Sequence, residues 1–270
     1  MKNKTSIFIY ILLIIFSVIV AFPIIFSVLL SFSNNQDIAS GIYIPGAISF
    51  YNYHRVFTAT KTLDYLFNSL VLSILTTVIQ IILSIMAGYF FVFIKMKYKN
   101  LLFTIFLAVM MIPSEILIIS NFQTIRNMSL LNTFLGLMLP PLASTFGVFL
   151  FRQNFKQIPI ELKEACDITG AGDFYFFRKV AVPMVSNTIV TLAIYYFLLS
   201  WNAYLWPLLA TTNDKVRTVQ IGLRSMKNAD TVTDFSLIAA AAVVVAIPTL
   251  LTILIGQKNL QEGLTKGSTK

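Results

Sequence analysis

Six apolar runs recur along this chain, each near the roughly 20 residues needed to cross a hydrocarbon core: Ser6–Phe32, Leu66–Ile94, Leu101–Ser120, Phe134–Phe151, Met184–Leu209 and Phe235–Gly256. Short polar segments separate them. The pattern predicts an all-α integral membrane protein with six transmembrane helices. The first run is longer than the roughly 7–15 residues of a signal-peptide core and lacks a small-residue cleavage pattern, so it reads as an uncleaved helix. Pro113, Pro140-Pro141 and Pro248 fall inside the third, fourth and sixth runs and are expected to bend or break them. Ser33–Tyr65 is polar and turn-rich, Asn121–Thr133 and Ala210–Asp234 are shorter connections, and Gln257–Lys270 is a polar tail. The resulting organisation is 1–65 for the first helix and its loop, 66–256 for a five-helix transmembrane domain, and 257–270 for the tail.

The longest markedly polar stretch between two such runs is Arg152–Pro183. Pro159 suits the first turn of a helix, where its missing N–H has no partner to lose. Glu161 and Glu164 put negative charge near that helix's positive end. Gly170 is placed to close it in the left-handed conformation. Asp173 is expected to cap a second short helix, carrying Phe174, Phe177 and Val180 at helical spacing and stopped by Pro183. This helix, turn and helix would present Leu162, Ala165, Cys166 and Phe174 as a small apolar face. Such a face either meets a partner or lies along the membrane surface.

Composition agrees with a membrane class: 57% of side chains are hydrophobic and 11% charged, against roughly one quarter charged in soluble domains. The net charge of +9 is not gathered in one patch, which argues against nucleic acid as a partner. It tracks orientation instead. With both termini inside, the inner segments hold Lys2, Lys4, Lys95, Lys97, Lys99, Arg152, Lys156, Lys163, Arg178, Lys179, Lys258, Lys266 and Lys270, and the outer ones Arg55, Lys61, Arg126, Lys215, Arg217, Arg224 and Lys227. Positive charge favours the cytoplasmic side, so both termini and the Arg152–Pro183 hairpin are assigned there. One cysteine, Cys166, allows no internal disulfide, and no metal-spaced His/Cys cluster, phosphate-cradling loop or catalytic signature is present. The chain reads as a non-enzyme without catalytic, cofactor-binding or metal residues.

Polar side chains inside a span either line a pathway or mediate ordinary helix packing. The fifth run offers Asn187, Thr191, Trp201 and Asn202 as pathway candidates. Glu115 is the one carboxylate within a span; it either lines the pathway, pairs with a partner subunit or snorkels to the outer interface. Trp201 and Trp206 lie toward the outer end of their run, where indoles favour the interface.

Glu164-Ala165-Cys166-Asp167-Ile168-Thr169-Gly170-Ala171, with Pro183 beyond, resembles the E-A-A loop that permease subunits of binding-protein-dependent ABC importers present to their ATPase subunits. Cys166 replaces a common second Ala, and Thr169 a common Asp. Phe67-Asn68-Ser69-Leu70, Ala87-Gly88-Tyr89, Ile112-Pro113 with Glu115, Leu131-Asn132-Thr133, Trp201-Asn202 with Leu205-Trp206-Pro207, and Glu262-Gly263-Leu264-Thr265 resemble the sugar branch. Within that branch the chain is similar to the smaller of the two permeases, as in the second membrane subunit of the maltose importer. The resemblance implies a type I ABC importer permease fold, with a cytoplasmic coupling-helix hairpin between helices 4 and 5, in a bacterial cell membrane. It implies a second homologous permease, two ATPase subunits or domains holding ATP and Mg, an extracytoplasmic sugar-binding protein, and a sugar or oligosaccharide as cargo. It assigns ATPase coupling to Glu161, Glu164, Ala165, Cys166, Asp167, Gly170 and Ala171, and a further cytoplasmic contact to Glu262, Gly263 and Leu264. A stand-alone secondary carrier and a membrane scaffold are the other readings of six spans.

Overall fold

The computed structural model describes residues 2–227 and 233–265, with side chains over 7–227 and 233–257. In chain order its α-helices are α1 Lys2–Phe32, α2 Asn35–Ala39, α3 Tyr51–Thr58, α4 Thr62–Phe93, α5 Lys99–Ala108, α6 Ile118–Asn127, α7 Phe134–Met138, α8 Thr145–Phe155, α9 Ile160–Ile168, α10 Asp173–Phe176, α11 Val182–Met184, α12 Ser186–Trp201, α13 Leu205–Ala210, α14 Val219–Ser225 and α15 Phe235–Thr265. Three are long and apolar enough to cross a membrane unbroken, over Ile7–Phe32, Thr62–Phe93 and Phe235–Gln257. Two bent pairs supply further candidate spans: Lys99–Met111 with Ser114–Asn127, at 86°, and Asp173–Met184 with Ser186–Trp201, at 72°.

The proline positions explain most departures from six straight spans. Ile112, held at ψ 116° before Pro113, ends a 3-10 turn and starts the 86° bend, because a residue preceding proline is driven out of the helical region. The helix beyond it then runs on through Asn127, into what the sequence suggests is a connection. Pro140-Pro141 likewise divides the fourth run into α7, a 3-10 turn over Pro140–Leu142 and α8, which the Ser144 side chain caps through the Gly147 N–H. Pro248 acts differently from the expectation. Helix α15 continues through it to Thr265, so helix replaces much of the expected polar tail; proline in a spanning helix is tolerated where the freed carbonyls find other partners.

The chain divides into two compact units, Met1–Leu66 with Val219–Pro248 and Phe67–Thr218 with Thr249–Lys270. In the first, Asn52 on α3 donates to the Ser31 and Ser33 carbonyls at 3.0 and 2.9 Å, satisfying the open end of α1. Val56 packs with Ala240 and Ala241, and Arg55 pairs with Asp234 at 2.7 Å. Burial works against the Asp234 carboxylate, but hydrogen bonds from Ser236, the Leu237 N–H and Arg55 prevail and hold its pKa below the ordinary value. The most apolar window of α1 within Ile7–Phe32 has no buried residue, which leaves it a surface for lipid or another chain.

In the second unit an aromatic core gathers Tyr89, Phe151, Phe155, Phe176 and Tyr196 with Ile85, Ile158 and Leu192. Gly88 lets α8 close on α4: a Cβ there would lie 2.6 Å from Phe151 Cβ and 3.1 Å from the Arg152 nitrogen. Gly147 does the same for α12, since the Tyr196 hydroxyl lies 1.8 Å from where its Cβ would stand. That hydroxyl donates to Ser144 Oγ at 2.8 Å. Small residues at such crossings are how membrane helices approach without a solvent-driven force between them.

Candidate functional site

Helix α9 and the turn after it form the most sharply defined local structure outside the spans. Pro159, extended at ψ 130°, precedes its first residue, and Glu161 lies in its first turn. Thr169 ends it, and Gly170 takes φ 72°. The Ala171 N–H then donates to the Cys166 carbonyl and the Gly170 N–H to the Asp167 carbonyl, at 2.9 and 3.1 Å. This double closure satisfies carbonyls that a helix end leaves open, and it needs a left-handed residue where glycine stands.

Two details differ from the sequence expectation. Gly172 takes the capping position of α10 and Asp173 is its first residue, with no side-chain cap bond. Pro183 does not stop the second helix either. A π turn over Phe177–Ala181 carries the chain into α11, and the break comes at Val185, with φ −103° and ψ 18°. The Val182 N–H donates to the Phe177 carbonyl across this wide turn, which suits a helix whose Pro183 has no N–H to offer and a ring that crowds the preceding turn.

Lys163 holds the hairpin shut. Its ammonium pairs with Asp167 on the same helix and with Asp173 on the next, the latter at 2.9 Å, and lies 5.7 Å over the Phe176 ring. The hydrogen bonds to Asp167 and then Asp173 push its pKa well above the ordinary lysine range. Beneath it Phe176 is fully buried, 5.1 Å from the Phe93 ring, and Tyr89 donates to the Asp173 carbonyl at 3.3 Å. Cys166 turns inward against this core rather than outward with Leu162, Ala165 and Phe174. The outer surface keeps Glu161, Glu164, Ala165, Asp167 and Gly170 exposed and Ala171 half-buried. Ile168 and Phe174 stand 87% and 73% exposed there.

A cavity of about 480 Å³ lies within the second unit, lined among others by Thr76, Gln80, Glu115, Asn121, Tyr204 and Trp206. Glu115 sits at the 86° bend with its carboxylate accepting from Ser114 Oγ at 3.1 Å. Gln80 donates to the Pro141 carbonyl, and Trp206 Nε1 to the Leu137 carbonyl at 3.1 Å. The other pathway candidates are placed elsewhere: Asn187 and Asn202 are exposed, Thr191 is half-buried and donates to the Asn187 carbonyl, and Trp201 is buried against Phe197. Both indoles thus pack into protein. Glu262, Gly263 and Leu264 continue the backbone of α15, and their side chains lie outside the described residues.

One polar feature escaped the reading by runs. Ser69, Ser73, Thr76, Thr77, Gln80 and Ser84 form a single buried stripe along α4, spaced by threes and fours as one helix face requires. The hydroxyls of Ser73, Thr76 and Thr77 have no hydrogen-bond partner among the described residues. The same periodicity is present in the sequence, and two of its members, Thr76 and Gln80, line the cavity. Hydroxyl, amide and a single carboxylate are groups that bind a polyhydroxylated molecule. No cluster of three or more His, Cys, Asp or Glu suited to a metal occurs among the described residues.

A broken-helix membrane unit with a clamped helical hairpin and a cavity whose mainly apolar wall carries Thr76, Gln80 and Glu115 is the architecture of a transporter's membrane half. The chain belongs to the family of binding-protein-dependent transport system inner membrane components, whose pattern it matches over residues 80–265. It is 33% identical over 267 residues to the sn-glycerol-3-phosphate transport system permease protein UgpE of Brucella abortus, covering 95% of each chain. Against the protein of that name from Yersinia pestis it is 32% identical over 272 residues, with 97% of each covered. A crystal structure of a bacterial ABC transporter that imports the acidic polysaccharide alginate superposes with a TM-score of 0.87 at 20% identity, over 95% of this chain and 96% of the other. A second, of the alginate transporter in complex with alginate pentasaccharide-bound periplasmic protein, gives 0.63 at 16% identity, over 94% and 93%. These two matches establish the shared fold. The protein is therefore an ABC importer permease, an inner-membrane, non-enzymatic subunit.

Proposed function

We propose that this chain forms half of the translocation pathway of an importer for a sugar or oligosaccharide, coupled to ATP hydrolysis through α9 and α10. The observation that carries the reading is the hairpin's division of labour. Lys163 closes it on itself and Cys166 and Phe176 fix it to the membrane helices, while Leu162, Ile168 and Phe174 are left bare on its far side. Large apolar side chains bare on a rigid, solvent-facing helix pair mark a docking surface. In this reading an ATPase subunit covers them, with Glu161, Glu164, Ala165, Asp167, Gly170 and Ala171 at the contact and Cys166 supporting it from inside. Glu262, Gly263 and Leu264 add a second contact, and both termini lie in the cytoplasm.

A second homologous permease completes the pathway, two ATPase subunits or domains hold ATP and Mg, and an extracytoplasmic binding protein delivers cargo. The 66–256 region acts as the transmembrane domain, with the broken Phe134–Phe155 segment serving as one of six crossings. Glu115, Gln80 and Thr76 line this chain's side of the pathway, and the exposed Asn187 and Asn202 with the half-buried Thr191 extend it along α12, Trp201 packing behind them. The alginate transporter, solved in complex with an alginate pentasaccharide-bound periplasmic protein, supports both the partner and a carbohydrate cargo. The UgpE relatives favour a small polyol phosphate within the same hydroxyl-rich chemistry.

The test is gentle extraction of the tagged chain from its native membrane, with mass spectrometry of what accompanies it. A homologous permease and an ATPase in comparable amounts are expected, with ATPase activity stimulated by the loaded binding protein. Recovery of the chain alone, where a control ABC complex survives extraction, would return the carrier and scaffold readings.

A further inference from the structure

Arg152 is a charged side chain with 9% of its surface exposed and no carboxylate partner among the described residues. It lies in the last turn of α8, brought against α4 by Gly88. Its guanidinium stands 3.8 Å over the Phe103 ring of α5, and its Nε is buried without a hydrogen-bond acceptor. A ring face compensates part of a cation's lost hydration, but not its missing acceptors. Beside it Lys99 Nζ donates to the Val92 and Ile94 carbonyls, each at 2.9 Å, so one of its three N–H groups stays available. Lys156 lies one turn beyond Arg152 and is exposed, and Lys99 feels the like charge of both.

No acid nearby in sequence answers this charge. From Tyr65 to Ile160 the only carboxylate is Glu115, which lies at the bend beyond the other end of α5. A buried cation without a counterion is costly enough that one is normally supplied. The cluster sits where α4 ends, α5 begins and α8 ends, at the polar margin of these apolar helices. Basic pockets between spanning helices suit anionic lipid head groups.

We propose that Arg152, Lys99 and Lys156 form a seat for the phosphate of an anionic phospholipid, the Arg152 fork taking two oxygens and the lysines the rest. The bound lipid would brace α4, α5 and α8 beneath the point where the hairpin leaves the membrane. The site stands whether or not α9 docks an ATPase.

Native mass spectrometry of the full chain, offered phosphatidylglycerol and phosphatidylcholine of identical acyl chains, tests it. Phosphatidylglycerol should be retained preferentially. Lys156→Gln, at an exposed position that leaves the fold intact, should reduce that preference about fivefold for one charge near the membrane surface. Arg152→Gln should reduce it further, while Arg152→Lys, which keeps the charge but not the fork, should fall between. Equal retention of the two lipids, or a preference unchanged in Lys156→Gln and Arg152→Gln, overturns the proposal. So does Arg152-dependent binding of inorganic phosphate without any lipid preference, which would assign the seat to a free anion.

Discussion

Replacing Phe176 with alanine should loosen the hairpin, whereas the same change two residues earlier, at Phe174, should leave the fold alone and weaken coupling. Phe176 is fully buried and Phe174 is 73% exposed. Removing a buried phenylalanine costs about 3–5 kcal/mol, and the Phe176 ring also contacts Phe93, Tyr89 and the Lys163 ammonium. The upper half of that range is therefore expected, about 4–5 kcal/mol, or roughly a thousandfold in the population of the docked hairpin. Amide hydrogen exchange across residues 160–176 of the purified protein reads this directly. Exchange should accelerate by about that factor in Phe176→Ala and stay near wild type in Phe174→Ala, where surface changes cost about 0.5 kcal/mol or less. ATPase binding should fall in both. Equal acceleration in the two variants would refute the assignment of inner and outer faces, and full ATPase binding by Phe174→Ala would refute the docking surface.

Gly170→Val meets no neighbour, since nothing lies within 4 Å of the added Cβ; the penalty is backbone strain at φ 72°, about 1–2 kcal/mol, expected as loss of coupled uptake with the spans still folded by circular dichroism. Asp234 contributes stability that is present above its ordinary pKa of 3.8 and is lost as pH falls below it, because its folded pKa is depressed. The melting-temperature gap between wild type and Asp234→Asn should therefore correspond to about 1 kcal/mol at neutral pH and close on acidification; a gap unchanged at acidic pH would contradict the pairing with Arg55. Gly147→Ala drives a methyl into the Tyr196 hydroxyl, an overpacking cost of roughly 1–3 kcal/mol, and adding Tyr196→Phe should restore part of the lost thermal stability.

Long apolar runs and the Gly170 closure were legible because each follows from local chemistry: a bilayer's thickness fixes the first, and a left-handed turn fixes the second. Pro113 was legible as a breaker, yet its effect on Glu115 was not. A residue placed within a span, near its outer end, sits at a sharp bend and lines a cavity. The polar stripe on α4 was written at helical spacing, but its meaning depends on which face the neighbouring helices cover, and no single run records that. Trp201 and Trp206 carried an interface signal that packing overrode, as the Trp206 bond to the Leu137 carbonyl makes plain. Cys166 shows the same limit on a smaller scale, because one rotation of α9 decides which side of a short amphipathic helix points inward.

The π turn at Phe177–Ala181 has a consequence for inheritance as well as for mechanics. Such a turn holds one residue more than the α-helix around it, so it behaves as a frozen insertion. Inserting a further residue between Phe177 and Ser186, beyond the one the turn already absorbs, would swing everything before it by roughly 100° about the axis. Phe176 would then leave the core, and the bare face would point away from its partner. This short segment should tolerate changes of side chain far better than changes of length, like the keyed joint of a drive shaft.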